Sequence, residues 1–164
     1  MPKNFTILGF DPGLADTGFG VICRENNKFQ YLTCGSIKTR AGQNFSSRLL
    51  EIYDEASQLL LEYQPDLVVV EKLFFAKNTK TAIDVSQARG VLLLAIVAKK
   101  INLLELTPLQ IKQAIASTGQ ASKRQVGLMV KNLLQLSAVP KPDDAADALA
   151  IAIAGASFNT LLRK

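Results

Sequence analysis

Apolar positions fall in short blocks through the first quarter of the chain and recur at helical spacing through most of the rest. Phe5 to Phe10 predicts a strand, stopped by Asp11-Pro12-Gly13. Thr17–Arg24 and Lys28–Ser36 predict a hairpin about Asn26-Asn27, because asparagine tolerates the left-handed backbone of a two-residue turn. That register sets Cys23 opposite Gln30 and Cys34 opposite Phe19. Ser46 or Ser47 is placed to cap a helix whose apolar face carries Leu49, Leu50, Tyr53, Ala56, Leu59 and Leu60, ended by Gln64-Pro65-Asp66. Leu67–Val70 is continuously apolar, as in a strand buried on both faces, and Glu71 follows it directly. Thr79–Lys100 reads as a long helix weakened at Gly90, Asn102–Leu106 as a short strand, and Pro108–Ser117 and Ser122–Leu136 as helices broken at Gly119. Pro140 and Pro142 close a loop before a last helix from Asp143 to near Leu161.

Three strands, then helix, strand, helix, strand and helices imply an α/β fold. Its mixed sheet is antiparallel first and parallel afterwards, with helices flanking it. The 164 residues, 48% hydrophobic and 20% charged, suit one domain spanning 1–164 with a single buried core. The longest unbroken apolar run, Val91–Ala98, is short for a bilayer, and Asp11 interrupts any signal-peptide core, so no membrane association is expected.

Composition then narrows the chemistry. There is no histidine, which removes Ser-His, Cys-His and histidine-ligated zinc mechanisms, and two cysteines cannot build a structural zinc site. In the hairpin register the two cysteines lie roughly 13 Å apart, at ~3.4 Å per residue, beyond disulfide reach. They are expected as reduced thiols of a cytoplasmic protein. Charge is unevenly spread. Residues 1–71 carry six Lys/Arg against nine Asp/Glu, whereas residues 72–131 carry ten against only Asp84 and Glu105. A basic middle beside acid-bearing segments fits a polyanion-binding protein with an acidic reaction centre.

Four acids fall where such a centre could form. Asp11 and Glu71 each end a strand, and if those strands are parallel neighbours both emerge at one carboxyl edge. Asp144 and Asp147, three residues apart, share a face of the last helix. Carboxylates brought together repel unless protonated or bridged by a cation, and an all-oxygen set suits Mg²⁺ or Mn²⁺. Asp143 is the better placed of the doubled acids to cap the last helix, leaving Asp144 beside Asp147.

These residues sit in a wider pattern. Gly9-Phe10-Asp11-Pro12-Gly13, Thr17-Gly18-Phe19-Gly20-Val21, Glu71-Lys72-Leu73-Phe74-Phe75-Ala76-Lys77-Asn78, Gln87-Ala88-Arg89-Gly90 and Asp143-Asp144-Ala145-Ala146-Asp147-Ala148-Leu149-Ala150 occur in order. Together they resemble the motifs of RuvC-type Holliday junction resolvases, from residue 5 to about 155. The resemblance implies an RNase H-like five-stranded mixed sheet and a homodimeric, Mg²⁺-dependent endonuclease that nicks four-way DNA junctions in recombination and repair. Two Mg²⁺ ions per site are implied, with Mn²⁺ as a substitute. It carries catalytic and metal-binding roles onto Asp11, Glu71, Asp144 and Asp147, and a base-stacking role onto Phe74. Lys112 and Lys123 correspond to lysines beside the DNA. Lys77, Lys80 and Arg89 are candidate phosphate contacts, and the family's RuvA–RuvB branch-migration complex is a candidate partner. Lys72 departs from the family's usual glutamine. The expected dimer face on the 79–100 helix is Ala82, Val85, Ala88, Leu92, Ala95 and Ile96.

Overall fold

Alternation along the strands directs side chains to the two faces of one sheet, and helices cover both. The structure, a computed structural model, describes residues 4–26, 28–73 and 79–162. Its elements are β1 (Asn4–Asp11), β2 (Asp16–Glu25), β3 (Lys28–Lys38), α1 (Phe45–Tyr63), β4 (Leu67–Glu71), α2 (Thr79–Ala98), β5 (Asn102–Leu106), α3 (Pro108–Ala116), α4 (Lys123–Leu133) and α5 (Asp143–Leu162). The sheet order is β3-β2-β1-β4-β5. β1 is antiparallel to β2 and β2 to β3, whereas β1 runs parallel to β4 and β4 to β5. The expected mixed sheet is therefore present.

Leu8, Phe10, Val68 and Val70 project to one face and pack with Ile52 and Leu60 of α1 and Leu92 and Ile96 of α2. Ile7, Ile22 and Val69 project to the other, against Ile111 of α3, Val130 of α4 and Leu149 and Ile153 of α5. From Ala145 to Ala156 α5 is apolar almost all round and buried almost all round, as a helix stretch without a polar face must be. It lies directly on β1 and β2 because two strand glycines leave room. A Cβ on Gly9 would stand 2.2 Å from the Ala148 carbonyl oxygen, and one on Gly18 would stand 2.1 Å from that of Asp144.

Several expectations are corrected. Val21 faces Thr33 and Gly20 faces Cys34, so a bulge between Val21 and Ile22 shifts the distal hairpin by one residue and Cys34 does not face Phe19. Both cysteines are free thiols. The cap of α1 is Asn44, whose Oδ1 accepts the Ser46 N–H at 2.9 Å, not Ser46 or Ser47. Asp143 is not the cap of α5. The Pro142 carbonyl accepts the Ala146 N–H, which makes Asp143 the first helical residue and leaves its side chain 77% exposed. The face of α2 read as a dimer surface packs inward: Ala88, Leu92, Ala95 and Ile96 are fully buried in this chain's own core, and Ala82 and Val85 are half-buried. The segment Thr81–Ala98 is long and apolar enough to cross a membrane by length and composition alone, but this inward face belongs to the domain's core.

Candidate active site

Parallel pairing sets Phe10 beside Val70, so Asp11 and Glu71 leave adjacent strands at the same carboxyl edge. The turn after Asp11 is fixed from beneath. Buried Thr17 donates from Oγ1 to the Gly13 carbonyl at 2.6 Å, and buried Thr39 donates to that of Leu14 at 2.6 Å. Arg48 in turn donates from Nε to Thr39 Oγ1 at 2.8 Å. The close seat of α5 on Gly9 and Gly18 then brings the first turns of that helix over the same edge.

Asp11, Asp144 and Asp147 consequently offer carboxylate oxygens that all lie within 4.8 Å of one another. Asp11, Glu71 and Asp147 line a cleft of about 230 Å³ together with Lys112 and Lys123, walled by Pro108, Ile111, Val126, Ala150 and Ile151. Asp11 and Asp147 thus belong to both groups, with Glu71 in the cleft and Asp144 in the three-acid cluster.

Electrostatics follow from that crowding. Burial pushes the Asp11 carboxyl up to about 8, and the neighbouring charges of Glu71, Asp147 and Asp144 push the same way against Lys123. Burial, with Asp147 adding to it, lifts Glu71 to about 6 while Lys112 and Lys123 oppose the rise. Asp144 is also raised, chiefly by burial. Lys123 offsets part of this charge: its Nζ lies 2.9 Å from Asp147 Oδ2 and 4.0 Å from Asp143 Oδ2, and the Asp147 bond holds its own pKa up. Carboxylates that resist ionising together, with oxygens at this spacing and no softer ligand, fit a hard divalent cation.

The four acids expected from the sequence are therefore gathered at one edge, with Lys112 and Lys123 beside them. Arg89 is not a free phosphate contact. Its guanidinium pairs with Glu105 of β5, and its Nε donates to the Glu71 carbonyl at 3.1 Å. Phe74 and Lys77 lie outside the described residues; Lys80 lies in the first turn of α2 and its side chain is likewise outside them. Lys72 is exposed, on a peptide that leaves the end of β4.

Sequence reasoning missed two features. Asp16 opens β2, accepts a hydrogen bond from Ser36 Oγ at 3.2 Å, and adds its charge to the field at Asp144. Glu105, an acid in the apolar strand Asn102–Leu106, was a visible signal, since an acid there needs a partner.

Comparison with known proteins points to one family. The family described as crossover junction endodeoxyribonuclease RuvC matches residues 7–155. A crossover junction endodeoxyribonuclease RuvC from Natranaerobius thermophilus is 48% identical over 147 residues, covering 90% of this chain and 91% of that one. The structure of Thermus thermophilus RuvC superposes with a TM-score of 0.89 at 32% identity, covering 96% of each chain. The same protein in complex with Holliday junction substrate gives a TM-score of 0.87 at 30% identity, again over 96% of each chain.

Proposed function

The chain belongs to the RuvC family of crossover junction endodeoxyribonucleases, and from that premise we propose that it resolves four-way (Holliday) DNA junctions by paired, symmetric nicks in recombination and repair. We take residues 1–164 as a single RNase H-like nuclease domain and place it in the cytoplasm with the DNA. The observation that carries the reading is the acidic cluster of Asp11, Asp144 and Asp147, joined through Asp11 and Asp147 to a cleft that also holds Glu71 and two lysines.

Asp11, Glu71, Asp144 and Asp147 act as the catalytic acids and hold Mg²⁺, with Mn²⁺ as a substitute. Two ions per site follow from the family resemblance. When bound, such ions would polarise a phosphodiester and activate a water for attack. The chain's own part is to fix the oxygen ligands on rigid elements and to supply countercharge. β1 and β4 present Asp11 and Glu71 from the sheet edge, and α5 presents Asp144 and Asp147 from above. Lys112 and Lys123 bring cationic charge to the same cleft, where a phosphate would sit. Lys77 and Lys80 serve as further phosphate contacts as part of the basic run in the sequence, and Phe74 stacks on an unpaired base on the family resemblance.

A junction cut twice calls for two-fold symmetry in the enzyme. The outward side of α2 supports a homodimer: Ile83, Leu94 and Val97 are 63%, 61% and 60% exposed. With exposed Gln87 and Gly90 they recur at alternating four- and three-residue steps, the seam spacing of packed helices. A Cβ on Gly90 would meet nothing within 4 Å, so a partner helix could approach there. The RuvA–RuvB complex is the partner proposed to supply junctions.

The test is a side-by-side cleavage assay on a synthetic four-way junction and an RNA–DNA hybrid duplex in Mg²⁺. Paired nicks in the junction, abolished by Glu71→Gln while junction binding persists, are expected. Preferential cutting of the hybrid, or a Glu71→Gln variant that cuts normally, would overturn the reading.

A further inference from the structure

The peptide joining Glu71 to Lys72 is held at both of its polar atoms. Its carbonyl oxygen accepts the Arg89 Nε–H at 3.1 Å, and its N–H donates to the Leu106 carbonyl at 2.7 Å. A peptide unit is planar, so fixing both atoms fixes the backbone torsion that follows the Glu71 Cα. The direction in which the Glu71 Cα–Cβ bond leaves the backbone is set with it. The N–H contact continues the β4–β5 ladder, in which Glu71 faces Leu106 and Val70 faces Glu105. The carbonyl contact does not belong to the ladder. It comes from α2, and Glu105 holds another nitrogen of the same guanidinium.

Arg89 is only 19% exposed in this arrangement. Its Nε and one terminal nitrogen are already engaged, by the Glu71 carbonyl and by Glu105, and turning both to a phosphate would strand Glu105 in an otherwise apolar strand. We propose that Arg89 is a positioning residue for Glu71: braced by Glu105, it clamps the Glu71 carbonyl and aims the Glu71 carboxylate into the acidic cleft. This inference rests on the reading of Glu71 as a metal-holding catalytic acid. It replaces a DNA contact by a tie between helix and strand, on the helix whose opposite face carries the apolar seam. Partners that orient a metal-holding residue typically change metal affinity or activity by roughly 10–100-fold when removed.

The experiment compares wild type with Arg89→Lys, Arg89→Gln and Glu105→Gln, the last leaving the guanidinium in place without its brace. Three quantities are read: Mn²⁺ affinity of the protein by calorimetry, the Mg²⁺ dependence of single-turnover junction cleavage, and the salt dependence of junction binding. Arg89→Gln should weaken Mn²⁺ binding about tenfold and move the Mg²⁺ midpoint of cleavage upward, with cleavage recovering in high Mg²⁺. Arg89→Lys should fall between it and wild type, and Glu105→Gln should move the same two quantities in the same direction. Junction affinity and its salt slope should stay at the wild-type value in all three. A salt slope reduced by about one in the Arg89 variants would make Arg89 a phosphate contact and overturn the inference. Lower thermal midpoints with unchanged Mn²⁺ affinity and Mg²⁺ midpoint would make it merely structural and overturn it equally. A wild type that leaves junctions intact brings down the reading of the site itself, whereas variants indistinguishable from a wild type that does cleave bring down this inference alone.

Discussion

Replacing Asp11 by asparagine should destroy cleavage and, without divalent metal at alkaline pH, make the protein more stable. The reasoning is one of proton linkage. Asp11 is lifted from 3.8 to about 8 in the fold, by burial first and by Glu71, Asp147 and Asp144 after it. An acid whose folded pKa is raised holds its proton better folded than unfolded. Its presence therefore costs stability increasingly as pH rises from the unfolded value towards the folded one. At roughly 1.4 kcal/mol per pH unit the penalty near pH 8 has a ceiling of about 5 kcal/mol. Protons shared among the four acids reduce it, so about 2 kcal/mol is a reasonable expectation. For a chain of this size that is a rise of roughly 4–8 °C in Tm for Asp11→Asn. The assay is thermal unfolding of both proteins in chelator at several pH values and again in Mg²⁺. The gap should be widest near pH 8, shrink towards pH 4, and narrow or invert in Mg²⁺, because a ligand bound only to the folded wild type stabilises it by mass action. An Asp11→Asn protein less stable than wild type in chelator near pH 8, or a gap independent of pH, would refute the reasoning and mark Asp11 as a structural residue of the turn.

The doubled acid at the start of α5 divides by geometry: Asp143→Asn should keep near-normal cleavage, since its side chain is exposed and its ion pair with Lys123 is long, at 4.0 Å. Asp144→Asn should lose most Mg²⁺-dependent activity, and titrating cleavage rate against Mg²⁺ for the two variants decides between them. Gly18→Ala would drive a methyl group into the Asp144 carbonyl and lift α5 from β2; a loss of about 1–3 kcal/mol in denaturant unfolding, with slower cleavage, is expected. Leu94→Glu on the outward side of α2 should leave the fold intact, since Leu94 is exposed, and should yield monomers by light scattering; a dimer unchanged by this substitution would place the interface elsewhere.

The sequence alone determined the element order, the mixed sheet and the set of acids that meet at one edge. Those properties are local: Leu67–Val70 is apolar without interruption, Asp11 and Glu71 each close a strand, and Asp144 and Asp147 share a helical face whatever the rest of the chain does. The glycines of the first two strands were legible as a pattern but not as a cause, since only the seating of α5 shows that Gly9 and Gly18 make room for it. Which face of α2 turns inward was likewise undetermined. Apolar residues surround that helix, so periodicity could not separate the side that meets the sheet, with Leu92 and Ile96, from the side left outward, with Leu94 and Val97. The pairing of Arg89 was illegible for the same reason. Its partner Glu105 stands sixteen residues further along, on another element, and only the packing of α2 across β4 and β5 brings the charges together and ties them to the Glu71 carbonyl. Composition and spacing fix what each residue can do; the tertiary structure decided which partner it meets, because close packing selects one neighbour among many chemically adequate ones.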